Sequence, residues 1–279
     1  GSPLPILLRP EGAGPQGDLR WQEHARGGQA IRRACRRATG VVAIAPPVRD
    51  ELLAAGFDES KIFDIPNGVE IPDHTSAPVR ARPRAELAES DPRLQIAPAA
   101  PLVLYVGRLH KEKGLDELLE AWTHVVAAER QARLWIVGDG PYLRPLAAKI
   151  NALQLMGSVT LAGSYDSTSQ FYQAANVFAF PSRSELMPLA LLEAMAAPLR
   201  IVASDIAGNR HLLDDGQCGL LVPVGHVQEL ADGIVSQLER PDDVSPLAVA
   251  ARERVRVRFS LAGMTRMHWR LFQQMIDHS

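Results

Sequence analysis

The sequence predicts an α/β fold built on a Rossmann-like, doubly wound parallel sheet. Short apolar runs alternate with longer amphipathic stretches from Leu102 onward, and Gly-containing turns separate them. Of the 279 residues, 46% are hydrophobic, which is enough for one large or two modest cores. Such alternation is typical of parallel strands covered by helices.

Six strands and five helices are predicted in this part of the chain. The strands are short apolar runs, at Leu102–Val106, Leu134–Val137, Val159–Leu161, Val177–Phe180, Ile201–Ala203 and Leu220–Val222. The helices are amphipathic stretches between them, at Leu115–Ala128, Tyr142–Leu155, Ser169–Ala175, Pro188–Ala196 and Gln228–Leu238. Together they predict one domain over residues 102–258.

The first hundred residues predict only part of a second domain. After a loop-like stretch they contain a basic helix at Trp21–Arg37, a strand at Val41–Ala45 and a helix at Pro47–Ala55. These are too few elements for a complete α/β domain, so residues 1–73 are interpreted as an incomplete remnant. Residues 74–101 are rich in Pro, Ala and Arg without periodicity, and predict a linker or mobile segment.

Composition excludes several classes of function. The net charge of −2 gives no general attraction to nucleic acid. Cys35 and Cys218 lie far apart, without disulfide or zinc spacing, so a reducing cytoplasmic setting is expected. The chain has no Gly-x-Ser-x-Gly, His-Glu-x-x-His or Asp-x-Asp motif, and no metal site is predicted.

Glu193 is the one charged side chain in an apolar run that begins at Pro188. A buried carboxylate needs hydrogen bonds or a counter-ion, so this helix is predicted to face a polar ligand. Pro188 suits the first helical position and places Glu185 in the preceding loop. The amides of Leu189 and Ala190 would then point out of the helix start, where an anion is favoured.

Two carboxylates would repel an anion, so Glu185 and Glu193 are better interpreted as acceptors for hydroxyl groups. Carboxylates and helix start together fit a phosphorylated sugar, and Met187 is assigned to the same site. The alternative is a buried salt bridge from Glu193 to Arg200 or Arg210.

The loop after the first strand of this domain carries two cations. Arg108 follows Gly107, and Lys113 precedes the helix, at the sheet edge where open α/β folds bind ligands. Arginine bonds two oxygens of a diphosphate at once, and lysine acts as a point charge. The alternative is that both are simply solvated. The loop lacks the Gly-Lys-Ser/Thr ending of a Walker A motif.

Two further loops end at the same edge. Gly138 and Gly140 follow the second strand and would allow a ligand to approach the backbone, although they also fit an ordinary turn. They lack the third glycine of the dinucleotide fingerprint, which argues against NAD. Ser164 and Tyr165 follow the third strand, where a nucleobase held by backbone groups would fit.

Together these residues resemble the retaining glycosyltransferases of the GT-B fold, in the large group 1 (family 4) set. The resemblance covers residues 33–272. It rests on Ile65-Pro66-Asn67-Gly68-Val69, Gly107-Arg108-Leu109 with Lys113-Gly114, Gly138-Asp139-Gly140-Pro141, and Pro181-Ser182 leading to Glu185 and Leu191-Leu192-Glu193-Ala194-Met195-Ala196.

The resemblance implies a hexosyltransferase-like enzyme that is metal-independent and keeps the anomeric configuration. It assigns the diphosphate of a nucleoside diphosphate sugar to Arg108 and Lys113, the ribose hydroxyls to Glu193 and the donor sugar to Glu185. The two cations would stabilise the leaving group, so they and Glu185 are the predicted catalytic residues. The nucleotide sugar is a substrate, and no cofactor is implied.

The sequence departs from the family pattern at three places. Leu186 stands where Gly is usual, Pro198-Leu199-Arg200 replaces Gly-x-Pro, and His211 replaces a common Glu. The acceptor-side domain is also predicted to be truncated. Two alternatives therefore stay open: a module that binds the nucleotide sugar without transferring it, and an epimerase of the same fold, for which no acid and base residues are identified.

The resemblance also implies a C-terminal helix, Leu261–Ile276 within residues 259–279, that crosses back onto the first domain. Incomplete cover of Trp269, Leu271 and Phe272 would favour self-association. The basic segment containing Arg32, Arg33, Arg36 and Arg37 predicts either contact with anionic lipid or acceptor, or a solvated face, which we favour. The expected location is cytoplasmic or membrane-peripheral, with an unknown acceptor.

Overall fold

The computed structural model describes residues 4–13, 17–72, 80–197, 199–240 and 245–277. These residues belong to two compact units. The first unit lies within residues 1–70 and 257–279, and the second comprises Ile71–Arg256.

The first unit contains a small parallel sheet of order β1-β2-β3, formed by β1 (Leu7–Leu8), β2 (Gly40–Ala43) and β3 (Ile62–Asp64). Its first three helices are α1 (Asp18–His24), α2 (Gly28–Cys35) and α3 (Pro46–Ala54). Val42, Val48 and Leu52 form part of its core. β1 and β3 were not predicted, because runs of two or three residues carry no readable periodicity.

The basic segment at Trp21–Arg37 was predicted as one helix, and that prediction is wrong. Gly27 adopts a left-handed conformation with φ of 78°, which ends α1 and starts α2. A residue with a Cβ rarely adopts this conformation, so glycine fixes the break.

The second unit begins with residues that were predicted as a linker. The described part of that segment instead forms α4 (Ala81–Ser90) and a 3₁₀ turn at Pro92–Leu94. The guanidinium of Arg84 is buried and donates hydrogen bonds to the backbone oxygens of Ala174 and Ala100 and to Asn176 Oδ1. The prediction is therefore wrong for residues 80–100, since a buried cation fastens them to the domain. Residues 73–79 lie outside the described part of the chain.

The doubly wound parallel sheet is confirmed. All six predicted strands are present, as β4 (Leu102–Val106), β5 (Arg133–Val137), β6 (Val159–Gly163), β7 (Val177–Phe180), β8 (Arg200–Ser204) and β9 (Leu220–Val222). They pair in parallel in the order β6-β5-β4-β7-β8-β9. The order reverses between β4 and β7, which makes this pair the topological switch point of the sheet.

The helices of this unit flank the sheet. The five predicted helices are α5 (Leu115–Ala128), α6 (Leu143–Ala152), α7 (Ser169–Ala174), α8 (Leu189–Ala196) and α10 (Val227–Leu238); α9 (Ala207–Leu213) and α11 (Pro246–Arg258) were not predicted. The fully buried Trp122 of α5 and Trp135 of β5 mark the core.

The last helix, α12 (Leu261–Asp277), belongs to the first unit. The amide of Val69 donates to the carbonyl of Phe259 and the amide of Leu261 to that of Val69, at 2.9 and 2.8 Å, so the start of α12 is tied to the Ile65–Val69 motif. Leu271 is buried, whereas Trp269 and Phe272 are exposed. Two of the three side chains that were predicted to lack cover are thus exposed, and the third is not. No helix among the described residues is long and apolar enough to cross a bilayer.

Candidate functional site

The candidate site lies at the carboxyl ends of β4 and β7. The chain continues from β4 to β5 on one side of this pair and from β7 to β8 on the other side, so the loops that follow the two strands diverge. The crevice between such loops is where open α/β sheets bind ligands. Arg108 and Lys113 lie in the loop after β4, and Glu185 lies in the loop after β7. The sheet topology thus brings together groups that are more than 70 residues apart in sequence.

A cavity of about 270 Å³ opens at this edge. Its lining includes five of the predicted site residues, together with Val106, Val137, Asp139 and Thr168; the five are Gly107, Arg108, Gly138, Ser164 and Tyr165. The loops after β4, β5 and β6 therefore form one concave surface, in which Arg108 is an exposed cation.

Gly138 and Gly140 make room for the backbone of the neighbouring loop after β4. A Cβ at Gly138 would lie 1.9 Å from the carbonyl oxygen of Gly107, and one at Gly140 would lie 2.2 Å from that of Leu109. Gly138 also has φ of 137°, which side-chain-bearing residues rarely adopt. The backbone of the loop after β4 therefore packs closely against both glycines. Of the two, only Gly138 also lines the cavity.

An ion pair joins the two sides of the switch point. Lys113 Nζ lies 2.6 Å from Glu185 Oε1, and the two side chains are only 26% and 12% exposed. The amide of Arg183 donates to the carbonyl of Glu112 at 2.9 Å, so the loops after β4 and β7 are also joined through their backbones. The geometry leaves the remaining donors of the ammonium and the second carboxylate oxygen for a polar ligand.

Tyr105 is a contributor that the sequence did not reveal. It lies in the middle of an apolar strand, is fully buried and donates its hydroxyl to the carbonyl of Arg108 at 3.3 Å. Burial and the negative charge of Glu185 raise the pKa of Tyr105 above its ordinary value, so it stays a neutral donor. It holds the backbone of the loop that presents Arg108.

Glu193 accepts a hydrogen bond from Tyr172 Oη at 2.8 Å. Tyr172 lies on α7 and is buried; burial, and then the charge of Glu193, raise its pKa well above its ordinary value. The predicted alternative partners are engaged elsewhere: Arg210 pairs with Asp205 and Asp215, and Arg200 donates to the carbonyls of Gln237 and Arg240. Glu193 therefore has a neutral donor on one side of its carboxylate.

The start of α8 lies one residue later than predicted. Pro188 has an extended ψ of 120° and is the N-cap, so Leu189 and Ala190 form the beginning of the first turn. Their amide groups have no carbonyl group within the helix to donate to, as the predicted anion site requires. Met187 is buried, and Leu189 is half-exposed.

Of the three departures from the expected motif, two can be located. Leu186 is half-buried beside Glu185. The carbonyl of His211 accepts a hydrogen bond from Arg254 at 2.8 Å. Pro198 lies outside the described residues. Within the described ranges, no group of three or more His, Cys, Asp or Glu side chains is arranged to hold a metal ion.

Comparison with known proteins finds glycosyltransferases both in the matching family and among the similar sequences. Residues 100–240 match the profile of the family described as glycosyl transferases group 1. The chain is 30% identical to the alpha-D-kanosaminyltransferase of Streptomyces kanamyceticus over 239 residues, which are 84% of this chain and 60% of that protein. It is 35% identical to the phosphatidyl-myo-inositol mannosyltransferase of Mycobacterium tuberculosis over 189 residues, which are 64% of this chain and 46% of that protein.

Solved structures share the fold. The Anabaena Alr3699/HepE structure in complex with UDP and glucose is 21% identical, superposes with a TM-score of 0.79, and is matched over 96% of this chain and 71% of that chain. Sucrose-phosphate synthase from Thermosynechococcus elongatus is 26% identical, with a TM-score of 0.76, over 98% of this chain and 68% of that chain. The chain thus spans 46–60% of the length of these two curated relatives and 68–71% of the length of these two solved chains.

Proposed function

Because the chain belongs to the group 1 glycosyltransferases, we propose that it acts in sugar transfer from a nucleoside diphosphate sugar to an acceptor. The observation that carries this proposal is the ion pair between Lys113 and Glu185 at the switch point, at the same end of the sheet as the cavity that Arg108 lines. Cations for a diphosphate and a carboxylate for sugar hydroxyls are then present at one sheet edge.

The cations would bind the diphosphate. Arg108 is exposed at the cavity, where its guanidinium can bond two phosphate oxygens. Lys113 gives one donor to Glu185 and has others for a phosphate oxygen. The first-turn amides of Leu189 and Ala190 add partial positive charge at the start of α8.

The carboxylates would bind hydroxyl groups on either side of the diphosphate. We assign the donor sugar to Glu185, which Lys113 already orients. We assign the ribose hydroxyls to Glu193, whose carboxylate is oriented by the hydrogen bond from Tyr172. The base would occupy the cavity beside Ser164 and Tyr165.

In this mechanism, the bond from the anomeric carbon to the diphosphate oxygen breaks, the acceptor oxygen bonds to that carbon on the same face of the sugar, and the acceptor's hydroxyl proton passes to the departing diphosphate. Arg108 and Lys113 would stabilise the negative charge that develops on the leaving diphosphate, which a fixed positive charge does without reorganisation. We propose that transfer is retaining and needs no metal ion. We further propose that the acceptor is a sugar, lipid or small molecule and that the protein is cytoplasmic or membrane-peripheral.

Calorimetric titration with UDP, GDP, ADP and dTDP tests the donor site. One of these nucleotides is expected to bind, and its identity names the base. Arg108→Ala should weaken that nucleotide about 10- to 100-fold, since a charge-assisted hydrogen bond contributes about 1.5–3 kcal/mol, while affinity for the free nucleoside changes little. Arg130→Ala is the matched control, because Arg130 is exposed before β5, at the opposite edge of the sheet. Equal losses for nucleotide and nucleoside would contradict the assignment of Arg108 to phosphate.

Sugar release from the donor, with and without candidate acceptors, separates transfer from binding. A chain that binds the nucleotide but never turns over would be a binding module. The observation that favours this second candidate is Leu186, a half-buried residue that directly follows Glu185 in the chain, where the family usually has glycine. Leu186→Gly should then restore turnover if that side chain blocks the donor sugar.

A further inference from the structure

We propose that Asp91 and Arg93 are positioning residues for the nucleobase end of the cavity, and that they act through Tyr165. The inference rests on the proposed function, because it takes this cavity as the nucleotide site. Both residues belong to the segment before β4, whose other described residues are not part of the site described above. They lie in and beside the 3₁₀ turn that follows α4.

Tyr165, which lines the cavity, is a residue that Asp91 contacts. Its hydroxyl donates to Asp91 Oδ2 at 3.1 Å. Its ring packs edge-on against Phe171, with the ring centroids 4.7 Å apart and the planes at 65°. The ring is therefore fixed both at its hydroxyl and along its edge, although it lies in the loop after β6.

Asp91 is itself held firmly by Arg93. Asp91 Oδ1 accepts hydrogen bonds from the backbone amide and Nε of Arg93, both at 3.0 Å, and Oδ2 accepts one from Nη2 at 2.7 Å. The same guanidinium donates to the carbonyls of Leu161 and Ala162 at 3.3 and 3.1 Å. The turn is thus fastened to β6, the strand that leads into Tyr165.

The charge state of Asp91 decides what Tyr165 offers a ligand. The Arg93 guanidinium and the hydroxyl of Tyr165 help to lower the pKa of Asp91 to about 2, so at neutral pH its carboxylate only accepts hydrogen bonds. The hydroxyl proton of Tyr165 is therefore directed to Asp91. Tyr165 lines the cavity, so its ring would contact the base as a flat apolar surface.

It follows that Tyr165 contributes shape and contact area, whereas any hydrogen bonds that select the base come from the backbone around it. The clamp formed by Asp91 and Arg93 contributes by keeping the ring in one orientation before the ligand arrives. Pre-organisation of this kind increases affinity by reducing the ordering cost of binding.

The test measures the affinity of the protein for two ligands. One is the nucleoside diphosphate that binds best among UDP, GDP, ADP and dTDP, and the other is inorganic pyrophosphate, which has no base. Asp91→Ala and Tyr165→Phe should each weaken nucleotide binding about 5- to 10-fold and leave the affinity for pyrophosphate within about twofold of the unaltered protein. The double variant should bind the nucleotide no more weakly than the worse single variant, because both changes remove the same hydrogen bond, from Tyr165 to Asp91. Tyr165→Phe keeps the ring and the fold, so the test does not depend on Asp91→Ala alone.

Arg82→Ala is the matched control, since Arg82 forms an exposed ion pair with Glu86 on the neighbouring α4. Unchanged nucleotide affinity in both variants would overturn the inference, as would an equal loss for pyrophosphate or additive effects in the double variant. If the unaltered protein binds none of the four nucleotides, the proposed function fails and this inference falls with it. If it binds one and the variants bind equally well, only the inference fails.

Discussion

Replacing Arg84 by methionine would remove the guanidinium that fastens α4 and the turn after it to the second unit. This side chain is 7% exposed. Its Nε donates to Ala174 O at 2.9 Å, Nη1 to Pro98 O and Ala100 O at 2.7 and 3.0 Å, and Nη2 to Asn176 Oδ1 at 2.9 Å. Methionine keeps an apolar stem of similar reach but has no donor.

The expected loss follows from these four bonds. A hydrogen bond to a charged group contributes about 1.5–3 kcal/mol, and the cost of burying the guanidinium offsets part of the sum. Removal also leaves buried carbonyl oxygens without this donor, at about 1–3 kcal/mol for each that water cannot reach. We therefore expect Arg84→Met to lower the free energy of unfolding by about 3–5 kcal/mol.

Urea unfolding followed by far-UV circular dichroism measures this difference, with thermal unfolding as a check. The matched control is Arg82→Ala, in the same helix, because its exposed ion pair with Glu86 is worth about 0.3–0.5 kcal/mol. A loss below 1 kcal/mol for Arg84→Met would refute the reasoning, since it would mean that residues 80–100 are not held by this cation. Equal losses for both variants would have the same consequence.

Three other perturbations have defined outcomes. Gly138→Ala should lower the unfolding temperature and weaken nucleotide binding at least tenfold, because the new Cβ would lie 1.9 Å from Gly107 O, whereas Gly157→Ala, with no atom within 4 Å, should do neither. Tyr172→Phe should weaken a ribonucleoside diphosphate about tenfold and spare its 2′,3′-dideoxy analogue, since Tyr172 orients Glu193; equal losses for both would remove Glu193 from the ribose. The depressed pKa of Asp91, about 2, means that its carboxylate stabilises the folded state above the unfolded pKa near 3.9 and that this contribution is lost as pH falls toward 2. The stability difference between the unaltered protein and Asp91→Asn, measured by urea unfolding, should therefore shrink between pH 6 and pH 3, and a constant difference would contradict the assignment.

The larger domain was readable from sequence because its four central strands, β5, β4, β7 and β8, are buried on both faces. Runs such as Val177–Phe180 are wholly apolar and can be located without any knowledge of their neighbours. Helix α4 was missed for the opposite reason: the residue that holds it is an arginine, which sequence patterns assign to the surface. Its burial depends on carbonyl groups some 14 to 90 residues away in the chain.

The candidate site shows the same division. Arg108, Lys113 and Glu185 were predicted because charged residues in the loops after apolar strands are conspicuous in sequence. Tyr105 and Tyr172 were missed, because a tyrosine in a hydrophobic run is indistinguishable from ordinary core until its hydroxyl partner is known. Sequence identified the charges, and only the fold revealed the neutral donors that orient them.

The hydrogen bonds that join Val69 to Phe259 and Leu261 carry a consequence for how the protein folds. They unite two stretches of chain that are separated by the whole length of the second unit, which is continuous in sequence. Closing a flexible loop of that length would cost about 4–5 kcal/mol in entropy. If the inserted unit folds first, its ends are already fixed and the closure becomes shorter. We therefore expect the unit with the continuous chain to fold first, and the discontinuous one to complete its small sheet and terminal helix afterwards.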